Sequence, residues 1–380
     1  MRICAIYHRD YPWEVRIQKI CLTLLEKKHE VHLICANAQN RKRIEFVDGI
    51  TVHRLPSTKN AFLNKALSFP AFFNPIWIHE IYRVVRENSI DCVLVRDLPL
   101  ALPAIAVARG FGIPIFYDMA ENYPAMWKIS SSIIKNAFVA HKMESISMRF
   151  VNKVFVVVQE SNDRLIKKGV PESKIIIVSN TPHIGKFNNS IEKATKIHDR
   201  KLNLIYVGYI AKERGLDTVI KALPTIIARV NNVSINIIGE GKYVSQLRDL
   251  ARNLNLNDHV NFLGWVAPHD LPRFIDQSDI GVIPHHVNDQ TNATIPNKLF
   301  DFMAFAKPVI VSDAKPLERI VKEEKCGVVF KSGNPEDFAI KLLTLTHSTD
   351  RAEMGKNGQK AVSNKYNWQI DSKKLDSLFP

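Results

Sequence analysis

Between Thr291 and Asp313 the sequence reads TNATIPNKLFDFMAFAKPVIVSD, with a lysine and an aspartate three residues apart in an apolar run. At that spacing Lys298 and Asp301 share one face of a helix. A plain intrahelical ion pair would satisfy both and contribute a few tenths of a kcal/mol if exposed. A second reading comes from position. The helix is expected at Pro296–Phe305, directly after a strand, with Pro296 in its first turn and Asn292 or Thr294 available as a cap. Lys298 can then meet a phosphate. Asp301, expected to be buried among Leu299, Phe300, Phe302, Met303 and Phe305, can accept from both hydroxyls of a ribose.

Three further loops follow apolar strand patterns. VGYIAKERGLD (Val207–Asp217) supplies Gly208 and Tyr209, then Lys212 and Arg214 at a helix start, a combination suited to a diphosphate. A solvated basic loop is the plain alternative. IIGEGKY (Ile237–Tyr243) offers Gly239, Glu240 and Gly241 for close backbone approach, without the third glycine of a dinucleotide fingerprint. DIGVIPHHVNDQ (Asp279–Gln290) ends a strand in His285 and His286. No matching carboxylates accompany them and no D-x-D occurs, so no metal is expected. Toward the N-terminus, HRDYPWEVRIQK carries His8, Glu14 and Arg16, and a later strand ends at Asp118 followed by Glu121.

These loops need a scaffold of strand-end positions. Apolar strand patterns open at Arg2, Glu30, Cys92, Ile113, Val154 and Lys174, with helical patterns between them. After a polar stretch, GKFNNSIEKATKIHDR, a second series opens at Leu202, Ser234, Val260, Ile280, Pro308 and Gly327. Such alternation implies parallel sheets covered on both faces, with ligands at the carboxyl ends of the strands. The expected plan is a first domain over residues 1–184, a linker over 185–200, a second domain over 201–364, and a helix at about 365–380 crossing back. The 380-residue length and 46% apolar content agree with two cores. No transmembrane run and no secretory leader are expected. The five cysteines form no C-x-x-C pair and read as buried thiols of a reducing cytosol. A formal charge of +14 favours anionic partners. No zinc-finger or RNP-like pattern points to nucleic acid.

Four segments in order, VGYIAKERGLDTVIKAL, IIGEGKYVSQLRDLA, VNFLGWVAPHDLPRFIDQSDIGVIP and IPNKLFDFMAFAKPVIVSD, resemble the nucleotide-sugar domain of a retaining GT-B glycosyltransferase of family four. EKKHEVHLICA, GIPIFYDMAENYP and VNKVFVVVQESNDRLIKKGVPESKIIIVSN resemble its first half, and KYNWQIDSKKLDSLF its closing helix. The resemblance implies an α/β chain of GT-B architecture, two Rossmann-like doubly wound domains facing a cleft. It implies transfer of a sugar from a UDP-, GDP- or ADP-sugar to a glycan or lipid-linked acceptor, with retention and without metal, in cell-surface polysaccharide or lipopolysaccharide synthesis. Arg214 and Lys298 would stabilise the leaving phosphate, with Glu121 at the acceptor hydroxyl. Gly208, Tyr209, Gly239, Glu240, Gly241, Thr294, Leu299 and Asp301 would line the donor site; His8, Glu14, Arg16, Asp118 and Glu121 the acceptor side. Asp301 stands where the family has a glutamate and Arg214 where it has a lysine. Three positions depart from the pattern: Tyr209 replaces an arginine, Ala293 a glutamate and Ala120 a histidine.

Two other classes remain as alternatives. One is a non-catalytic glycosyltransferase-like subunit or sugar-nucleotide binding protein. The other is a sugar-nucleotide epimerase, whose acid and histidine groups do not assemble here. The stretch Asn60–Arg83, with Phe62, Leu67, Phe69, Phe72, Phe73, Ile76 and Trp77, reads either as a helix packed on the first sheet or as an amphipathic surface for anionic lipid. The expected location is the cytoplasm, at the inner face of the membrane in the second of these cases.

Overall fold

The computed structural model describes residues 1–12, 14–60, 62–64, 72, 74–129, 136–183, 202–230, 232–347, 350–376 and 378–379. The chain forms two compact units, Met1–Asn180 with Ser372–Pro380, and Thr181–Asp371. The expected linker, residues 185–200, lies outside the described residues.

The first unit carries β1 (Arg2–Ile6), β2 (Glu30–Cys35), β3 (Ile44–Val47), β4 (Ile50–Arg54), β5 (Cys92–Arg96), β6 (Ile115–Met119), β7 (Lys153–Val156) and β8 (Ile175–Ile177). Their order is β3-β4-β2-β1-β5-β6-β7-β8. All neighbours are parallel except the β3–β4 hairpin. That hairpin is an addition to the expected plan. Its signal is Asp48-Gly49, whose φ values of 51° and 85° are the left-handed pair that a two-residue hairpin turn requires. Strand order reverses between β1 and β5, so the loops after these two strands flank a natural ligand crevice.

The second unit carries β9 (Leu202–Val207), β10 (Val233–Ile238), β11 (Val260–Gly264), β12 (Ile280–Ile283), β13 (Val309–Ser312) and β14 (Gly327–Phe330). The order β11-β10-β9-β12-β13-β14 is wholly parallel. It is the dinucleotide-fold order, with the reversal between β9 and β12. The central strands read IGVI and VIVS and are buried at every position, as strands covered on both faces must be.

The helix that carries the opening pair spans Lys298–Ala304, shorter than expected. Pro296 precedes it, and Asn297 occupies the cap position without a side-chain bond. Neither expected cap acts as one. Asn292 Oδ1 accepts from the Lys315 amide (3.0 Å), and Thr294 Oγ1 donates to the Gln290 carbonyl (3.0 Å). Glycines let this helix pack closely on two sides. A Cβ on Gly281 of β12 would lie 2.3 Å from the Phe302 ring, and one on Gly355 would lie 2.0 Å from the Ala306 carbonyl. Gly355 belongs to the helix Arg351–Asn364, which the sequence reading passed over. Its two glycines weaken the helical signal, yet close approach needs them there.

The expected terminal helix at 365–380 is confined to Trp368–Lys373. Asp371 Oδ2 accepts from Thr181 Oγ1 (2.6 Å), and Phe379 packs edge-on against Phe116 in the first unit. The long helix expected around Ser131–Val151 runs Ala137–Phe150. In the stretch read as a membrane surface, Trp77 and Phe72 belong to the first core, while Phe62 is 78% exposed. Leu67, Phe69 and Phe73 lie outside the described residues. No helix among the described residues is long and apolar enough to cross a membrane. All five cysteines are buried and free.

Candidate functional site

Several of the residues expected on the donor side converge at the β9/β12 reversal. Gly208 follows β9 with φ 128°, and the atom nearest to a Cβ built there would be Lys298 Nζ, at 3.1 Å. A side chain at 208 would take the space the ammonium occupies. The ammonium lies over the Tyr206 ring, 3.7 Å from its centroid. Tyr206 is held in turn by its hydroxyl, which donates to the Tyr209 carbonyl (2.9 Å). Among the described residues no hydrogen bond or ion pair reaches the side chain of Lys298 or Arg214. Burial and the Arg214 charge hold the Lys298 amine well below the ordinary lysine range, with Asp301 acting the other way. The expected ion pair is therefore not what fixes Lys298.

Asp301 is half-buried rather than enclosed, which corrects the expectation. Helix packing explains this: Leu299, Phe300, Phe302 and Met303 take the covered faces and leave the aspartate at an edge. That edge lines a pocket of about 510 Å³, shared with Val207, Pro268, His269, Lys298 and Phe302.

The glycine-rich loop makes its close backbone approaches to another loop of the same unit. Cβ atoms on Gly239 and Gly241 would lie 2.1 Å from the Gly208 carbonyl and 1.9 Å from the Ile210 carbonyl. These glycines let two loops close on each other. Glu240 is exposed and its carbonyl accepts from the Ile210 amide (2.8 Å). Tyr209 is exposed. Leu299 is fully buried and its amide donates to the Pro296 carbonyl, so neither its side chain nor its N–H is presented to a ligand. Thr294, half-buried, spends its hydroxyl on Gln290.

Sequence reasoning passed over His285 as a donor-side group. It is 2% exposed and its Nε2 has no hydrogen-bond partner. Burial first, then Lys298, Arg214 and His286, hold its pKa well below the ordinary histidine range, so it is neutral. Its position directly after Pro284 at the end of β12 was the available signal. His286 faces elsewhere, to Asp217 at 3.3 Å, which with Lys221 holds that carboxyl down at about 2. No group of three metal-ligating side chains occurs among the described residues.

The first unit gathers charged residues at its own β1/β5 reversal, and here two expectations change. Arg16 and Asp118 have no exposed side-chain surface. Arg16 donates to Asp118 through Nε (3.0 and 2.9 Å) and Nη2 (2.6 Å), and Arg96 Nη1 adds a bond of 2.9 Å. Burial alone would raise the Asp118 carboxyl, but Arg16 and Arg96 outweigh it and hold it low. Asp118 is taken up by these arginines, while Arg16, equally enclosed, keeps Nη1 without a hydrogen-bond partner. Glu14 is also committed: it caps the helix Val15–Glu26 by accepting from the Ile17 amide (2.6 Å) and pairs with Arg96 (3.0 Å). His8 is half-buried, edge-on to Tyr7, with Nε2 accepting from Arg9 (3.3 Å). Glu121 is half-exposed on the loop after β6, and Ala120 beside it is buried.

Residues 187–361 match the family model described as glycosyl transferases group 1, and residues 13–181 match that of a glycosyl transferase 4-like domain. Together these take in most of both units. Each unit is thus matched by a glycosyltransferase family model, the second by that of group 1. A capsular polysaccharide biosynthesis glycosyltransferase, CapM of Staphylococcus aureus, is 25% identical over 252 residues, which is 64% of this chain and 65% of that protein. The chain spans about half the length of several other curated relatives it matches. Among solved structures, a sucrose-phosphate synthase from Thermosynechococcus elongatus aligns with a TM-score of 0.81 at 14% identity, covering 100% of this chain and 98% of that one. Anabaena HepE in complex with UDP aligns with a TM-score of 0.74 at 15% identity, covering 100% and 99%. The chain thus has the GT-B fold.

Proposed function

We propose that this chain transfers a sugar from a nucleoside-diphosphate donor to a glycan or lipid-linked acceptor in cell-surface polysaccharide or lipopolysaccharide synthesis. The observation that carries the proposal is the pair Arg214 and Lys298, two neighbouring cations with no counter-charge bonded to them, at the β9/β12 reversal. Uncompensated cations depress each other and cost stability, so an anion is the natural completion of the site. Breaking a sugar–diphosphate bond develops negative charge on the leaving phosphate. Arg214 can grip it bidentately and Lys298 acts as a point charge. With these cations supplied by the chain, the reading is a metal-independent reaction, and family resemblance adds retention of configuration. His285 fits as a neutral donor beside them. UDP is the first donor class to try, since HepE was solved with it.

Asp301 supports the ribose role by its place in the pocket with Lys298. Asp301→Ala is expected to weaken UDP binding roughly tenfold while leaving inorganic pyrophosphate binding and the thermal midpoint unchanged. Calorimetry with both ligands tests this. Equal loss of both would contradict the ribose assignment.

A non-catalytic subunit is the second reading, favoured by Ala120 and Ala293 where the family has a histidine and a glutamate. Turnover of a bound nucleotide-sugar separates the two. Contact with anionic lipid belongs to the main proposal and is supported by the exposed Phe62 and Leu63 and the +14 charge. Flotation with phosphatidylglycerol vesicles at low salt is expected to carry the protein up, and release it as salt rises. Failure to float would remove the membrane from the account.

A further inference from the structure

The loop after β5 holds a carboxylate that the donor site does not use. Asp97 has φ 68° and ψ 159°, a corner of backbone space that is essentially glycine's. The residue is 5% exposed, and its Oδ1 is enclosed without a hydrogen-bond partner. No described residue donates a hydrogen bond to its carboxylate, and it does not cap the short turn Leu98–Leu100 that follows. The cation beside it, Arg96 Nε, is 3.9 Å from Oδ2 and is itself unpartnered. Strain, burial and missing hydrogen bonds each cost stability, and the Arg96 charge, 3.9 Å away and in no hydrogen bond to the carboxylate, offsets them only in part.

The surroundings suit a neutral hydroxyl ligand. Arg96, on β5, and Arg9, on the loop after β1, oppose a cationic one, while Glu14 and Asp118 oppose a second anion. Tyr7 on β1, Tyr117 on β6 and Tyr123 on the helix Tyr123–Ile129 also sense the Asp97 charge. Asp97 also stands at the β1/β5 reversal, where a parallel sheet binds ligands. The expected acceptor-side histidine is the buried Ala120, and the expected Asp118 is consumed by arginines.

We propose that Asp97 is the acceptor-side carboxylate of this chain, accepting a hydrogen bond from a hydroxyl of the sugar that receives the glycosyl group. The proposal rests on the transferase reading. Burial, with Asp118 and Glu14 adding and Arg96 and Arg9 subtracting, pushes the Asp97 carboxyl up to about 6. The ionised form accepts the stronger, charge-assisted hydrogen bond, so affinity falls as pH drops through about 6.

The test uses the full chain, methyl glycosides of glucose, galactose, mannose and N-acetylglucosamine, and ligand-observed NMR, with UDP titrated into the same samples. Wild type is expected to bind at least one glycoside, more weakly at pH 5 than at pH 7. Asp97→Asn and Asp97→Gly should lose that binding at least tenfold, and the pH effect should vanish with it. Asp97→Gly should also raise the thermal midpoint, because glycine relieves the backbone and removes an unsatisfied charge. A merely structural Asp97 would give the opposite shift. No glycoside binding by wild type, unchanged binding in both variants, or a lowered midpoint in Asp97→Gly would each overturn the proposal. Absence of UDP binding would instead count against the transferase reading.

Discussion

Lys298→Met is expected to weaken nucleoside-diphosphate binding roughly 10- to 100-fold, the range for losing one charge-assisted hydrogen bond, while leaving the protein as stable as before or more so. The two effects share one cause. Lys298 carries its charge over the Tyr206 ring and beside Arg214, with no carboxylate bonded to it. In the free protein that charge is a cost, and methionine fills similar space without it. With diphosphate present the same charge becomes the attraction. A residue needed only for folding would lose stability and binding together. The pH dependence has a defined sign. The folded-state pKa of Lys298 is depressed, so its destabilising effect is present at low pH and fades as pH rises through the folded value toward the ordinary one. Nucleotide affinity should fall over that same rise, at lower pH than an unperturbed lysine would give. Calorimetry with UDP on wild type and variant across pH, beside thermal melts, reads all of this.

The other large effect lies in the first unit. Asp118→Ala should destabilise the protein by roughly 3–5 kcal/mol, the cost of stranding a buried charge. Both Arg16 and Asp118 are fully enclosed, and Arg96 depends on the same carboxylate. The double change Arg16→Met with Asp118→Leu should recover most of the loss, since Arg96 keeps Glu14 and its neighbour Asp97. The Asp118 carboxyl is held below its ordinary range, so its contribution is complete above about pH 4 and is lost as pH falls through the folded value. Urea unfolding of the single and double variants checks the claim. An unaffected midpoint in Asp118→Ala would contradict it.

The parallel sheets were legible because buried strands such as VIVS leave little ambiguity when helices separate them. The β3–β4 hairpin was missed because Ile44–Val47 is short and carries a glutamate, although Asp48-Gly49 announced its turn. The helix Arg351–Asn364 was hidden by the glycines that let it pack. At the proposed donor site, Arg214, Lys298 and Asp301 could be read because helix spacing and strand-end position pointed to them. His285 shared the strand-end position, but nothing in its type says that it would be buried without a partner. The Arg16–Asp118 pairing could not be read because the partners lie 102 positions apart in sequence. Asp97 was invisible for a similar reason: backbone strain and an empty hydrogen-bond inventory are properties of the fold.

The measurement that tests the central claim most directly is a calorimetric titration of the wild-type chain with UDP, GDP, ADP and their sugar conjugates, without metal and then with magnesium. The account predicts selective micromolar binding of one nucleoside diphosphate without metal, lost in Lys298→Met. No binding to any of them, or binding that Lys298→Met leaves intact, would contradict the assignment of Arg214 and Lys298 as the diphosphate site.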